Sequence, residues 1–219
     1  MTHCKIGLAI FDLDGTLIDS VGDISAAVNR MLGELGQAPL ALEEVRAMVG
    51  DGAGSLVDRV LAARPGIAID ATAALARYLA LYDANPLGLT RLYPDVAETL
   101  ELLQRRGLRL ALCTNKPERA SRVILESFGL ADRFERIIGG DSLPWRKPDP
   151  RVLEAIIAAL GEAAEATALV GDSEVDAATA AAAGIPFILM SYGYRRGPVE
   201  TIACRTALDR FDALADLFG

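Results

Sequence analysis

The run Ile6-Gly7-Leu8-Ala9-Ile10-Phe11 and the residues that follow it, Asp12-Leu13-Asp14-Gly15-Thr16-Leu17, decide how the rest of this chain is read. A short unbroken apolar run bounded by polar and glycine residues has the pattern of a strand buried on both faces of a parallel sheet. Two carboxylates on alternate residues at its end then lie at the carboxyl edge, where open α/β sheets place their ligands. Acids this close repel one another unless a cation or a shared proton compensates. The stretch is therefore a candidate site for Mg2+ together with a nucleophile. Asp-x-Asp-Gly is also ordinary turn chemistry, so the choice depends on what later strands bring to the same edge.

Four further strand-like runs end in polar groups. Leu108–Cys113 leads into Thr114-Asn115-Lys116-Pro117, and Arg136–Ile138 into Gly139-Gly140-Asp141. Ala166–Val170 leads into Gly171-Asp172-Ser173, and Pro186–Met190 into Ser191-Tyr192-Gly193. Helical patterns separate them over Val96–Arg106, Glu118–Phe128, Arg151–Leu160 and Glu174–Ala183, with a glycine just past each of four helix ends (107, 129, 161 and 184). Strands alternating with such helices predict an α/β fold, a Rossmann-like three-layer core whose parallel sheet is covered on both faces. Right-handed crossovers bring all the strand C-termini to one edge.

The alternation stops between about Ser20 and Leu92, where no strand is evident. Amphipathic helical stretches cover Val21–Leu35, Leu42–Val49, Ser55–Ala63 and Ala71–Asn85, punctuated by Pro39, Gly50-Asp51-Gly52-Ala53-Gly54, Pro65-Gly66 and Pro86. The expected division is a core of residues 1–18 and 93–219 and an inserted helical cap of residues 19–92. Because the insert begins right after the Asp-x-Asp strand, it is expected to stand over the active edge.

Composition narrows the partners. The chain of 219 residues is 52% hydrophobic with no apolar run long enough to span a bilayer, and the N-terminal run, cut short by Asp12, does not read as a signal peptide. Three cysteines, Cys4, Cys113 and Cys204, are too scattered for a metal pair or an even disulfide set, which favours a reducing cytoplasm. A net charge of −8 argues against nucleic acid and anionic membranes. The expected partner is a small phosphorylated metabolite, and the expected assembly a monomer or homodimer.

Each remaining strand end admits two readings. Thr114 and Asn115 put a hydroxyl and an amide before a helix start, which suits an oxyanion and equally an N-cap. Lys147, in Arg146-Lys147-Pro148-Asp149-Pro150, is one of only three lysines (with Lys5 and Lys116) and sits between fixed turns. A compact ammonium suits a phosphate beside carboxylates, although a solvated surface lysine has the same local pattern. Asp172 and, a turn later, Asp176 add oxygen ligands of the kind Mg2+ takes, while acids at a helix start also serve as caps. The ordered set Asp-x-Asp, Thr, Lys, Asp is far more specific than any member of it.

On these residues the chain resembles phosphatases of the haloacid dehalogenase superfamily with a helical cap after the first strand. Asp12–Thr16 matches the first motif, Thr114-Asn115 the second, Lys147 the third and Gly171–Asp176 the fourth. Thr114–Pro117, Lys147–Pro150, Ser191–Arg195 and Val49–Gly52 are most similar to phosphoglycolate phosphatases. The resemblance implies that Asp12 is the nucleophile and Asp14 the general acid and base. It implies Mg2+ held by Asp12, the main-chain carbonyl of Asp14 and Asp172, supported by Asp176, and phosphate held by Thr114, the Asn115 N–H and Lys147. Dehalogenases of the superfamily lack an acid at the position of Asp14, which favours phosphorus chemistry. The phosphonate-cleaving relatives need a cap lysine, yet none lies between Lys5 and Lys116. The mutase relatives use a histidine and a lysine near the cap junction, yet the only histidine is His3. Hydrolysis of a phosphomonoester, with 2-phosphoglycolate as the expected substrate, is what remains. The glycine-rich Gly50–Gly54 opens a helix whose N–H groups (those about Gly50 and Gly52) could receive a small carboxylate, with Arg59 assisting. The alternatives are a pyrophosphatase or broad sugar and nucleotide phosphatase on the same scaffold, and a non-enzymatic receiver-like phosphoacceptor, which would be shorter and lack the helical insert.

Overall fold

The computed structural model describes residues 6–218; His3, Cys4 and Lys5 lie outside them. Strand β1 (Leu8–Phe11) is followed by the two-residue β2 (Ile18–Asp19) and by helices α1 (Val21–Glu34), α2 (Leu42–Arg46), α3 (Ala53–Ala63) and α4 (Ala71–Asp83). After the two-residue β3 (Arg91–Leu92) come α5 (Val96–Arg105), β4 (Arg109–Cys113), α6 (Glu118–Ser127), β5 (Arg136–Ile138) and α7 (Arg151–Leu160). The chain ends with β6 (Thr167–Gly171), α8 (Glu174–Ala183), β7 (Phe187–Met190), β8 (Thr206–Leu208) and α9 (Leu214–Leu217).

The main sheet has six strands in the order β5-β4-β1-β6-β7-β8, every pair parallel. Parallel neighbours cannot be joined by tight hairpins, so helices carry the crossovers and cover both faces. β1 is central and wholly buried, and its residues alternate between the faces. Ala9 and Phe11 pack into one apolar cluster with Leu100, Leu112 and Phe211, whereas Leu8 and Ile10 pack into another with Leu153, Ile156 and Leu189. Phe11 stands in register with Leu112 on one side and Val170 on the other. The residues just past those three positions therefore leave the sheet at one level, which puts Asp12, Thr114 and Asp172 side by side.

Helices α1 to α4 bury an apolar cluster of their own, built on Val28, Met31, Val57, Val60, Tyr78 and Tyr82. Ala120 of α6 and Tyr194 after β7 complete it from the sheet side. Two features differ from the sequence reading. β2 and β3 form an antiparallel ribbon, Ile18 facing Leu92 and Asp19 facing Arg91, and β3 lies within the stretch from about Ser20 to Leu92 read as free of strands. β8 adds a sixth strand at the sheet edge, beside β7. Both involve strands of only two or three residues, too short to carry a period-2 signal. Among the described residues no helix is long and apolar enough to cross a membrane.

Candidate active site

Three carboxylates meet at the edge formed by β1 and β6. One oxygen each from Asp12, Asp172 and Asp176 lies within 4.8 Å of the others, and all three residues are buried. Local structure explains how they are held. Ser173 caps α8: its hydroxyl accepts the Asp176 N–H at 3.3 Å, and Asp176 Oδ2 accepts the Ser173 N–H at 3.2 Å. This reciprocal box satisfies two otherwise free helix-start donors and fixes the Asp176 carboxylate. The same oxygen accepts the Asp172 N–H at 3.3 Å, so Asp176 supports the main chain of its neighbour. Asp172 itself accepts the Thr16 hydroxyl at 3.4 Å and the Tyr194 N–H. Gly15 and Gly193 press against it so closely that a Cβ on either would fall within the Asp172 carboxylate.

Lys147 reaches into this group from the loop before α7. Its ammonium donates to Asp12 Oδ1 and to Asp176 Oδ1, each at 2.6 Å. Burial alone would depress its pKa, but Asp12 and Asp176 outweigh burial and hold it above the ordinary value. Burial pushes Asp12 up to about 6 despite the pull of Lys147, with Asp176 adding to the rise. Burial, then the Asp176 and Asp12 charges, raises Asp172 well above the carboxylate range. Among the described residues, three buried carboxylates thus face one ammonium, which leaves uncompensated negative charge. A divalent cation with oxygen preference fits this donor set.

Asp14 is oriented differently from Asp12. Its carboxylate accepts the Ser20 hydroxyl and takes the Lys116 ammonium on both oxygens, at 2.9 and 3.1 Å. Lys116 is buried, and its Nζ lies 4.6 Å from the centre of the Tyr82 ring on α4. Burial works against its charge, but Asp14, followed by Tyr82 and Tyr78, raises its pKa above the usual lysine value. The sequence reading placed no site role on Lys116; its place two residues past Thr114, in a chain so poor in lysine, was the available signal. Tyr194 was missed likewise. Its hydroxyl accepts the N–H groups of Ser20 and Val21 and donates to Asp19, tying the start of α1 to the loop that holds Asp172.

These residues open on a cavity of about 50 Å3 lined by Asp12, Asp14, Thr114, Asn115 and Lys116 from the sheet edge. Gly50, Gly52, Leu56, Tyr78 and Tyr82 close it from the helical side. A single water needs roughly 10–15 Å3 by the same measure, so the space takes a compact ligand and no more. Thr114 is buried at its wall with the hydroxyl accepting the Lys116 N–H at 3.2 Å. The Asn115 side chain is a tie, donating to the carbonyls of Gly50 at 3.1 Å and Lys147 at 3.0 Å. Among the described residues the Asn115 main-chain N–H meets no backbone acceptor. Arg59 corrects an expectation: it is not on the cavity wall. Its guanidinium donates to the Met48 carbonyl at 2.7 Å and pairs with Asp51, because two turns into α3 the nearest unmet acceptors belong to the preceding loop. The residues of the helical segment that line the cavity are apolar, tyrosine or glycine.

Comparison with known proteins agrees with this geometry. Residues 6–184 match the haloacid dehalogenase-like hydrolase family. A phosphoglycolate phosphatase of Cereibacter sphaeroides is 50% identical over 211 residues, 95% of each chain. One from Rhodospirillum rubrum is 47% identical over 216 residues, 96% of this chain and 90% of the relative. The crystal structure of a predicted phosphoglycolate phosphatase from Haemophilus somnus superposes with a TM-score of 0.93 over 98% of both chains, at 30% identity. A match over most of the chain, with half of the aligned residues identical to a relative of equal length, settles descent: this chain belongs to the haloacid dehalogenase-like hydrolases.

Proposed function

We propose that this protein is a Mg2+-dependent phosphomonoesterase that cleaves 2-phosphoglycolate to glycolate and phosphate through an aspartyl-phosphate on Asp12. The observation that carries the reaction is the convergence of Asp12, Asp172 and Asp176 on one another, with Lys147 bonded to Asp12 and Asp176 and a second acid, Asp14, on the same cavity as Asp12. The substrate rests on relatives named phosphoglycolate phosphatase that are 47–50% identical over nearly their full length.

Asp12 attacks phosphorus in line, forming a carboxyl–phosphate bond as the bond to the ester oxygen breaks. Asp14 gives a proton to the departing alkoxide, then removes one from the water that hydrolyses the acyl phosphate and frees Asp12. Lys147, the Thr114 hydroxyl and the Asn115 N–H hold the three peripheral oxygens, where charge is stabilised during transfer. Asp12, Asp172 and the Asp14 carbonyl would hold Mg2+, which supplies the positive charge that lets an anionic nucleophile approach an anionic phosphate. Asp176 keeps Asp172 and Lys147 in place. Residues 19–92 act as the cap, excluding bulk water while the reaction proceeds. A small-metabolite enzyme of this kind works in the cytoplasm.

The test is phosphate release from a panel of small phosphomonoesters and pyrophosphate with Mg2+. Phosphoglycolate is expected to have the highest kcat/KM, activity to vanish with EDTA, and Asp12→Asn to lose at least about 10³-fold. Far better hydrolysis of pyrophosphate or of sugar phosphates would overturn the substrate. Retained turnover in Asp12→Asn would overturn the nucleophile.

A further inference from the structure

Building on that reading of the substrate, we propose that Lys116 is the specificity-determining residue: its ammonium binds the carboxylate on the leaving group and so sets the ester oxygen beside Asp14. Among the described residues lining the cavity, Lys116 is the one cationic side chain, beside the acids Asp12 and Asp14 and otherwise neutral groups. The nearby cations are committed elsewhere. Lys147 is held by Asp12 and Asp176. Arg59 and Arg196 both pair with Asp51 and with carbonyls of the loop before α3. A substrate that brings a second negative charge into a space already walled by two carboxylates meets, among the described residues on that wall, one cation, Lys116, whose ammonium is shared with Asp14 alone.

Lys116 is also held for that task. Its N–H donates to Thr114 at 3.2 Å and its carbonyl accepts the Gly140 N–H at 2.8 Å, so the main chain is pinned at the end of β4. The side chain runs between Asp14 and the face of Tyr82, where a ring favours a cation. An ammonium has three donors, and the two oxygens of Asp14 leave at least one for a ligand. In phosphoglycolate one methylene separates the carboxylate carbon from the ester oxygen. A carboxylate seated on Nζ, itself 2.9 Å from Asp14 Oδ1, therefore brings the oxygen that must be protonated next to the acid that protonates it. A leaving group without the carboxylate enters the same cavity but is not aligned.

The experiment compares kcat/KM for 2-phosphoglycolate and for ethyl phosphate, its carboxylate-free counterpart, in wild type and three variants with Mg2+. The wild-type ratio is expected to be large. In Lys116→Met the ratio should fall at least tenfold, the lower range for removing a charged hydrogen-bond partner. Lys116→Gln carries the same comparison if the Met variant does not fold, and Lys116→Arg, which keeps the charge, should restore most of the preference. A wild-type ratio near one defeats the phosphoglycolate reading itself. A large wild-type ratio that survives in Lys116→Met and Lys116→Gln, or a proportional loss on both substrates, overturns the role of Lys116 while leaving that reading standing.

Discussion

Asp12 and Lys147 are both buried and only 2.6 Å apart, yet Asp12 keeps a pKa of about 6. The reason is the company: desolvation and the Asp176 charge exceed what one ammonium returns. The folded carboxyl thus holds a proton between roughly pH 4 and 6 that the unfolded chain has already lost. The metal-free protein consequently loses stability as pH rises through that window, because Asp12 must ionise among like charges. A divalent cation reverses the trend, since it binds the ionised form and competes with protons. At saturation near a hundredfold over Kd, binding adds about 2.7 kcal/mol, or about 5–10 °C in Tm for a chain of this size. The Mg2+-induced rise in Tm is expected to be several degrees larger at pH 7.5 than at pH 5, read by differential scanning fluorimetry. Equal shifts at both pH values would mean that protons and metal do not share Asp12. Asp172→Asn, which removes one carboxylate charge at nearly unchanged volume, should abolish most of the Mg2+ shift at either pH.

At the scale of elements, the site is a set of strand ends locked by the helix starts behind them. α8 shows this directly: Ser173 caps the helix and the same box fixes Asp176, which in turn fixes Lys147. Ser173→Ala is expected to cost about 1 kcal/mol, a drop of about 2–4 °C in Tm, and to lower kcat about tenfold, since the Lys147 partner loses one of its supports. Loss of stability with unchanged kcat would show that the cap serves α8 alone. The strand ends were legible because each follows an apolar run, and the parallel register is fixed once those runs pair. Asp12, Thr114 and Asp172 stand out in the sequence for that reason, and Lys147 for the scarcity of lysine and the prolines that follow it. Lys116 and Tyr194 were not, because their partners come from the far side of the fold: Tyr82 on α4 for one, Asp19 and Asp172 for the other. Arg59 failed for the converse reason. Helical periodicity gives a direction, but the Met48 carbonyl and Asp51, which claim its guanidinium, are brought together only by the turn into α3.

In the whole molecule, the helical segment has its own apolar cluster, which only Ala120 and Tyr194 join from the sheet side, and a few polar clasps complete the junction. Arg196, from the loop after β7, donates to the carbonyls of Ala47 and Val49, both at 3.2 Å, and pairs with Asp51. Asn115 adds a bond to Gly50, and Tyr194 anchors the start of α1. The cavity of about 50 Å3 lies between the two clusters, so any opening of the helical segment to take in substrate would break these contacts. Arg196 is partly exposed, so its ion pair alone is worth at most about 1 kcal/mol, and the two carbonyl bonds add a similar amount. Arg196→Ala should accordingly leave Tm within a few degrees but lower kcat/KM about 3- to 30-fold, with faster amide hydrogen exchange confined to residues 47–51. Burial of Asp51 pushes its pKa up, but Arg59 and Arg196 outweigh it and hold the carboxyl below its ordinary value. The sign follows: the clasp contributes fully above the unfolded carboxylate pKa and is lost only as pH falls below it. The ratio of wild-type to Arg196→Ala kcat/KM should therefore be constant from pH 5 to 8. A ratio that closes toward one as pH drops through 6 would mean that the clasp and the nucleophile titrate together, and that the cap and the site are a single electrostatic unit.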